Sequence, residues 1–247
     1  MINSTSNKQV KRVVSLRSKA KARREEGMYV VEGLRMCREL NPEDVDALYV
    51  TENFAGNRDN RKWMERFRPE TVSDAAMNVM ADTRTPQGVL AVVRQKRYTM
   101  DDIVRPASGV RPLAIMVLET IQDPGNLGTI IRAGEGAGIT GIVMNHATAD
   151  LYNPKVIRST MGSIYRMPFV YAADLQDACL LMKKKKGVRL FAAHLKGMNN
   201  YDQEDYTDNV GFLIGNEPMS YGGNRLAGRL PGEDSHGGKG GIPERGG

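Results

Sequence analysis

The fold is decided by the stretch Asp123-Pro-Gly-Asn-Leu-Gly-Thr-Ile-Ile-Arg-Ala133, which follows the apolar run 113–118. The run predicts a buried strand. The Pro-Gly pair predicts a sharp turn, because proline fixes φ and glycine tolerates positive φ. Asn126 is then the expected N-cap of a helix over 126–136. The sequence therefore predicts an amide and the cation of Arg132 near the carboxyl end of a strand, where open α/β sheets bind ligands.

Strand and helix patterns alternate around this stretch. Predicted strands are 113–118, 141–144, 188–192 and 210–214, and predicted helices are 126–136, 154–160 and 175–185. Such alternation is typical of a parallel sheet with crossover helices.

The preceding residues indicate a separate, compact α/β unit. Its predicted elements are a basic helix over 8–24, a strand over 28–32, a helix over 33–40, a strand over 46–50, helical residues at 64–67, a helix capped by Ser73 and a strand over 88–93. The segment 94–111 mixes charge, proline and glycine without periodicity, which predicts a linker. We therefore expect an α/β domain over 1–95, a linker over 96–111, a parallel-sheet domain over 112–218 and a tail over 219–247.

Charge and composition limit the classes of partner. The 247 residues carry a net charge of +6 and a pI near 9.3, which favours a polyanionic partner. The excess lies early in the chain, where no acidic residue interrupts the basic ones. The candidate contacts to such a partner are Lys8, Lys11, Arg12, Arg17, Lys19, Lys21, Arg23 and Arg24.

Cysteine usage and hydropathy bear on the compartment. Cys37 and Cys179 are too few for a disulfide framework or a metal set, so we expect a reducing cytoplasm and no metal. The sequence shows neither a signal-peptide pattern nor a long apolar span, so we expect no membrane role.

The tail has a different composition from the rest of the chain. Residues 221–247 hold ten of the 26 glycines and only four aliphatic side chains. Such a segment buries too little apolar surface to offset its ordering entropy, which predicts disorder over 219–247.

Three motifs occur in order along the second unit. They are Asn126-x-Gly-x-x-x-Arg132, Asn153-Pro-Lys-Val-Ile-Arg-Ser159 with Gly162, and Phe212-Leu-Ile-Gly-Asn-Glu217. Together they resemble the SpoU family of RNA 2′-O-ribose methyltransferases, within the SPOUT superfamily. The stretches 15–24 and 29–33 are similar to the family's small substrate-binding domain, which is like ribosomal protein L30e.

The resemblance implies a trefoil-knot domain that binds S-adenosylmethionine, a homodimer and an RNA substrate, with ribosomal RNA favoured over transfer RNA. Knots are rare, and this superfamily is an exception. The resemblance places Asn126, Arg132 and Glu217 at the catalytic site. It places Leu195, Gly197, Ile214, Gly215 and Asn216 at the cofactor, and Arg158 and Ser159 at the RNA or the dimer partner.

Methyl transfer to a ribose hydroxyl is an in-line displacement, so it needs positioning and removal of one proton. The planar fork of Arg132 suits a phosphate clamp. Glu217 could orient Arg132 or accept the proton through water, and the residues leave both roles open.

Each candidate also has a structural interpretation. Asn126 could be an N-cap alone, Arg132 could pair with Glu135, and Glu217 could be a surface acid. Arg158 and Ser159 could be ordinary helix surface. A non-enzymatic RNA-binding protein is therefore the alternative function. A dinucleotide-binding or phosphate-loop enzyme is disfavoured, because no Gly-x-Gly-x-x-Gly or Gly-Lys-Ser/Thr loop follows a strand.

The family's third motif, a Pro-Met … Ser-Leu-Asn run, is absent, and the glycine-rich tail stands in its place. Codons for 236–247, read one nucleotide out of frame, permit Met-Glu-Gly-Lys-Ala-Glu-Ser-Leu-Asn-Ala-Ala. We therefore hypothesise a frameshift or sequencing error near 217–219. This chain would then lack half of the cofactor pocket and the helix that makes the knot.

Overall fold

The computed structural model describes residues 1–105, 112–193, 199–215 and 227–229. The helices are α1 (Lys8–Ser18), α2 (Ala20–Glu26), α3 (Leu34–Arg38), α4 (Glu52–Gly56), α5 (Arg58–Met64), α6 (Asp74–Met80), α7 (Met100–Ile103), α8 (Pro124–Gly136), α9 (Pro154–Thr160) and α10 (Leu175–Lys186). The strands are β1 (Met28–Glu32), β2 (Val45–Thr51), β3 (Glu70–Val72), β4 (Val89–Arg94), β5 (Ala114–Glu119), β6 (Gly141–Asn145), β7 (Phe169–Ala172), β8 (Arg189–Ala193), β9 (Asn199–Asn200), β10 (Val210–Gly215) and β11 (Ala227–Arg229). Short 3-10 helices cover Pro42–Asp44, Ser163–Tyr165 and Tyr201–Gln203.

The first lobe is a four-stranded sheet in the order β1-β4-β2-β3. Strand β4 is buried on both faces because its side chains alternate between two apolar clusters. Leu90 and Val92 face the cluster that contains α1 and α6, whereas Val89, Ala91 and Val93 face the cluster that continues into the second lobe. The alternation explains why β4 reads as an unbroken apolar run.

The second lobe is a parallel sheet in the order β7-β6-β5-β10-β8-β11-β9. The predicted parallel sheet is confirmed, since each recorded pair of its strands runs parallel. Strand β10 lies between β5 and β8, so the chain leaves β8 and returns to the middle of the sheet. The carboxyl ends of the strands therefore meet at one edge, next to the start of α8.

The two lobes share one continuous core. Apolar residues of β1, α3 and β4 belong to the same buried cluster as residues of β5, α8, α9 and β7. Where the two lobes meet, which we call the seam, the ring centroids of Tyr29 and Tyr152 lie 4.6 Å apart. The Tyr152 hydroxyl donates to the carbonyl of Lys96 at 3.2 Å, and the Tyr165 hydroxyl donates to that of Met36 at 3.3 Å.

The basic helix predicted over 8–24 is broken, because Lys19 adopts an extended conformation (φ −120°, ψ 114°) between α1 and α2. Arg23 stabilises the break. Its Nη1 donates to the carbonyls of Leu16 and Arg17 at 2.7 and 3.0 Å, which lie in the last turn of α1 and lack intrahelical partners.

The helical residues predicted at 64–67 are right only at Met64, because α5 begins at Arg58 and ends at Met64. Asn57 sets its start by accepting a hydrogen bond from the backbone N–H of Asp59. Pro69 lies beyond its end, and the residue before a proline avoids helical backbone.

The predicted linker carries structure. Thr99 and Asp102 form a capping box that starts α7, and Ile103 and Val104 are buried in the core of the second lobe. Residues 106–111 lie outside the described residues.

Disorder was expected over the whole tail, yet Ala227–Arg229 forms a short strand paired with β8 and β9. An open sheet edge offers unpaired backbone groups that a short extended segment can use. The other residues of 216–247, and with them the completeness of the knot, lie outside the described residues.

Candidate active site

The turn between β5 and α8 is held by Asp123. Its carboxylate accepts from the backbone N–H of Asn126 at 2.7 Å, and Pro124 occupies the first helical position. The prediction that Asn126 is the N-cap is therefore wrong, because the helix begins two residues before it. The correction frees the Asn126 side chain for another role.

A polar network fixes the end of β5. Thr120 has a positive φ of 56°, which is strained for a β-branched residue. Asn145, at the end of β6, accepts from the Thr120 N–H and donates to its hydroxyl, both at 3.0 Å. Asn145 also accepts from the hydroxyl of the buried Thr148 at 2.8 Å. The sequence analysis did not predict this network. The signal that could have indicated it is the polar residues at the ends of two apolar strands.

Asn126 and Arg132 both lie on the outward half of α8. They are six positions apart, which is about 9 Å along a helix, and they lie at opposite margins of its exposed half. Both side chains are exposed, and neither forms a hydrogen bond or ion pair with the described residues. The third predicted catalytic residue, Glu217, lies outside the described residues.

Glu135 does not pair with Arg132, contrary to the structural interpretation. It accepts hydrogen bonds from the Arg166 guanidinium, one of them at 3.1 Å, and these bonds lower the pKa of Glu135. Arg166 also bonds Glu39 of the first lobe at 2.6 Å. The hydrogen bonds to Glu135 and Glu39 raise the pKa of Arg166. Glu135, the acid nearest Arg132 in sequence, therefore pairs with a residue at the seam between the lobes and not with Arg132.

The motif glycines allow close packing around α8. A Cβ at Gly128 would lie 2.4 Å from the Cβ of Ser159 and 2.7 Å from the Val156 carbonyl, so only glycine lets α8 and α9 approach this closely. A Cβ at Gly162, where φ is 98°, would lie 2.4 Å from a carboxylate oxygen of Glu39. Two glycines recognised as motif residues thus hold the helices and the lobes together.

The two residues of α9 predicted to contact the RNA or a dimer partner, Arg158 and Ser159, already bond to residues of this chain. Arg158 pairs with Asp82 of the first lobe at 2.5 Å, and the Ser159 hydroxyl donates to the Lys155 carbonyl at 2.8 Å. The structure therefore gives both residues a local structural role, while both keep partly exposed surface.

The described part of the predicted cofactor region is the end of β10. Ile214 is half-buried and packs on the shared core, and Gly215 is exposed. A Cβ at Gly215 would lie 3.1 Å from the Cβ of Glu119, the residue opposite it on β5. An apolar side chain followed by exposed main chain suits a cofactor bound through backbone groups. The other predicted cofactor residues, Leu195, Gly197 and Asn216, lie outside the described residues.

The N-terminal basic residues divide into two groups. Arg12 pairs with Glu26 and Asp46 at 2.7 and 2.8 Å, and Arg17 donates to the carbonyls of Val79 and Ala81. The exposed members, which remain candidates for RNA, are Lys8, Lys11, Lys19, Lys21 and Arg24.

Arg23 is not available to RNA in this structure. It is only 3% exposed, and its Nη2 and Nε both donate to one carboxylate oxygen of Asp150, at 2.6 and 2.9 Å. The prediction of an RNA contact treated all basic residues of a helix as solvated, whereas the turn at Lys19 points this one into the seam.

Cys37 and Cys179 are both free and buried, and burial raises the pKa of Cys179 to about 11. Among the described residues, no group of three or more His, Cys, Asp or Glu side chains could hold a metal ion. Within the same residues, none of the helices combines the length and apolarity needed to cross a bilayer.

Comparisons with known proteins agree with this architecture. Residues 113–221 match the SpoU rRNA Methylase family, and residues 7–91 match an MRM3-like substrate binding domain. The 23S rRNA (guanosine(2553)-2′-O)-methyltransferase RlmP of Bacillus subtilis is 26% identical over 224 residues, which cover 87% of this chain and 82% of that protein. An uncharacterized tRNA/rRNA methyltransferase of Synechocystis is 31% identical over 200 residues, covering 77% of this chain and 69% of that protein.

Among solved structures, the AdoMet-bound rRNA methyltransferase from Sinorhizobium meliloti superposes with a TM-score of 0.79 at 25% identity, covering 98% of this chain and 91% of that chain. The fold and the two family matches together define an α/β RNA methylase with an attached substrate-binding domain. The chain belongs to the SpoU rRNA methylase family.

Proposed function

We propose that this protein transfers a methyl group from S-adenosylmethionine to a ribose 2′-hydroxyl of structured RNA, and that ribosomal RNA is its substrate. The family membership, the rRNA specificity in the RlmP name and the AdoMet bound in the Sinorhizobium structure support the proposal. Transfer RNA is the second candidate substrate, since the name of the Synechocystis relative covers both RNAs.

The observation that carries the proposal is the state of Arg132. This guanidinium stands exposed and without an ion pair among the described residues, on the helix that follows the carboxyl end of β5. Its planar fork suits bidentate binding of a phosphate, and we assign it to the phosphate beside the target ribose. Asn126 lies nearer the strand end, where its amide can bond the ribose.

The cofactor supplies an electrophilic methyl carbon next to a sulfonium. In the transfer, the carbon–sulfur bond breaks, a bond to the 2′-oxygen forms, and the hydroxyl proton leaves. The protein therefore has to align the sulfur, the methyl carbon and the 2′-oxygen, and to remove the hydroxyl proton. We propose that Glu217 either orients Arg132 or accepts the proton through water.

The frameshift hypothesis remains part of the proposal. The match to the family extends over 113–221, and the glycine-rich composition begins at residue 221. On this view the chain binds S-adenosylmethionine weakly, and the second candidate function is an RNA-binding protein that has lost methyl transfer. A frame-restored chain, encoded with one nucleotide deleted between codons 217 and 219, would recover the third motif.

We further propose that the protein acts as a homodimer in the cytoplasm. The family resemblance supports the dimer, and two buried free cysteines suit a reducing compartment.

The test is transfer of labelled methyl from S-adenosylmethionine to ribosomal RNA and to transfer RNA, with the given and the frame-restored chains side by side. We expect label in ribosomal RNA from the frame-restored chain and at least tenfold less from the given chain. A methylated 2′-oxygen makes the adjacent phosphodiester resistant to alkali, which locates the product. No transfer by the frame-restored chain would refute the enzymatic proposal, and transfer to transfer RNA alone would refute the choice of substrate.

A further inference from the structure

A second polar site lies in the first lobe, on the surface around the ends of β2 and β3. It is a cleft of about 590 Å³. Thr51 is the last residue of β2, Asp74 follows β3, and Gly88 precedes β4. The wall is rich in side-chain amides, contributed by Asn53, Asn57, Asn60, Asn78 and Gln87.

The floor of the cleft is held in shape by buried polar contacts. Asn60 is 4% exposed and donates to the Phe54 carbonyl at 3.3 Å. The Thr51 hydroxyl accepts from the Phe54 N–H at 3.3 Å. Gly88 has a φ of 78°, and a Cβ there would lie 2.6 Å from the Thr51 hydroxyl oxygen. The concavity is therefore formed before any ligand arrives.

The rim offers unused hydrogen-bonding groups. Asn53 and Asn78 are exposed, and their amides make no hydrogen bond with the described residues. The carbonyl oxygen of the Gln87 amide accepts from the Leu34 N–H at 2.9 Å, which leaves its NH₂ available. Asn57 likewise accepts from a backbone N–H through its carbonyl oxygen and keeps its NH₂.

The charge of the lining favours a base over a phosphate. Asp74 is the only acidic residue among those lining the cleft, and the lining contains no lysine or arginine. A carboxylate repels a phosphate but accepts from an exocyclic amino group. Asn and Gln amides pair with base edges that carry a donor beside an acceptor.

One basic side chain contacts the lining of the cleft, and two more basic residues follow lining residues in the chain. The Arg38 guanidinium donates to the side-chain carbonyl oxygen of Asn60 at 3.5 Å, and Arg58 and Arg61 follow Asn57 and Asn60. All three arginines are exposed, and none forms an ion pair within the described part of the chain. Cations beside an amide-lined cleft suit a chain whose phosphates stay outside while one base enters.

We propose that this cleft binds one unpaired RNA nucleoside whose base carries an exocyclic amino group, with the flanking phosphates on the neighbouring arginines. The inference rests on the proposed function, because it takes RNA as the substrate. Single-stranded bases are the parts of RNA that proteins read by sequence. The cleft would therefore select the RNA, while the edge of the second sheet carries out the chemistry.

The test measures binding of 5′-fluorescein hexaribonucleotides A6, C6 and U6 by anisotropy, with the full chain and without S-adenosylmethionine. The variant is Asp74→Asn, which removes the carboxylate that accepts from the exocyclic amino group. Asp74 is exposed in the first turn of α6, whose N-cap is Ser73, so the fold is retained. The matched control is Asp177→Asn, an exposed acid in the first turn of α10 in the second lobe.

We expect the unmodified chain and the control to bind A6 and C6 at least tenfold more tightly than U6, which has no exocyclic amine. The Asp74→Asn variant should lose most of that preference and bind all three oligomers with similar affinity. Equal binding of A6, C6 and U6 by the unmodified chain would overturn the proposal, and so would an Asp74→Asn variant that keeps the preference. Because the assay needs neither methyl transfer nor cofactor, its failure is distinguishable from failure of the enzymatic proposal.

Discussion

Arg23 and Arg132 are the same residue type in two regions of the molecule, and the structure treats them in opposite ways. Arg23 is buried at the seam between the lobes, bound to Asp150 and to the end of α1. Arg132 stands exposed on α8 with no acidic partner among the described residues, because Glu135 is held by Arg166. The difference teaches that the role of an arginine in this protein depends on whether the carboxylates near it already pair with other residues.

The largest expected effect follows from Arg132→Ala in the frame-restored chain. Loss of the phosphate clamp should lower the rate of methyl transfer to ribosomal RNA by about 100-fold or more. The free energy of unfolding should stay unchanged, because the side chain is exposed and has no ion pair among the described residues. Arg132→Lys should recover only part of the rate, since lysine keeps the charge but not the planar fork. An unchanged rate in the alanine variant would remove Arg132 from the site.

For Arg23→Met we expect the main effect on stability and not on the rate of methyl transfer. It leaves Asp150 without its partner and the end of α1 without a donor, and should lower the free energy of unfolding by roughly 2–3 kcal/mol. Urea denaturation measures this loss. The neighbouring, exposed Arg24→Met is the control, and should change stability by no more than about 0.5 kcal/mol. Equal stability of the two variants would contradict the structural role of Arg23.

Gly128→Ala tests the packing beneath the outward face of α8. The added methyl meets the Ser159 side chain and the Val156 carbonyl, so α8 and α9 must move apart. We expect a loss of about 1–3 kcal/mol in the free energy of unfolding. Gly136→Ala, on the same helix with open space around its Cβ position, should be neutral or stabilising. A neutral Gly128→Ala would show that the helices are not in close contact.

The smallest effect concerns pH and the link between Glu135, Arg166 and Glu39. The folded-state pKa of Glu135 is lowered from 4.5, so its pairing contributes stability above that pH and loses it as the pH falls through the folded-state pKa. Arg166→Met should therefore cost roughly 0.5–1 kcal/mol at pH 7, because the network is partly exposed. Its deficit relative to the unmodified chain should shrink below about pH 4.5. The control is Arg97→Met, at an exposed arginine that has no ion pair among the described residues, and it should show no such dependence. A deficit of Arg166→Met that grows in acid would have the wrong sign.

Much of the fold could be predicted, for local reasons. Strand β1 and helix α9 have the predicted bounds, and Ser73 caps α6 as expected, because alternation and capping chemistry act within a few residues. Helix α7 was missed because its Thr99–Asp102 box lies in a segment without periodicity. The cap of α8 was misplaced by three residues, since Asp123 and Asn126 are both favoured N-caps.

The site was predicted less completely. The motifs named Asn126, Arg132, Gly128 and Gly162, but not that the two glycines serve packing and docking of the lobes. That role depends on Ser159 and Glu39, which lie far away in the chain. The Thr120 and Asn145 network was missed for the same reason, because it joins the ends of two strands.

The sequence by itself determined the two α/β units, the parallel sheet of the second, and the motifs that place the chain among the SpoU methylases. These follow from periodicity and spacing, which are local properties. Only the tertiary structure decided which arginines form ion pairs between the lobes and which stay exposed for a ligand. It also decided where the amide-lined cleft lies. Those outcomes depend on contacts between residues distant in sequence, whose burial and pairing no local pattern records.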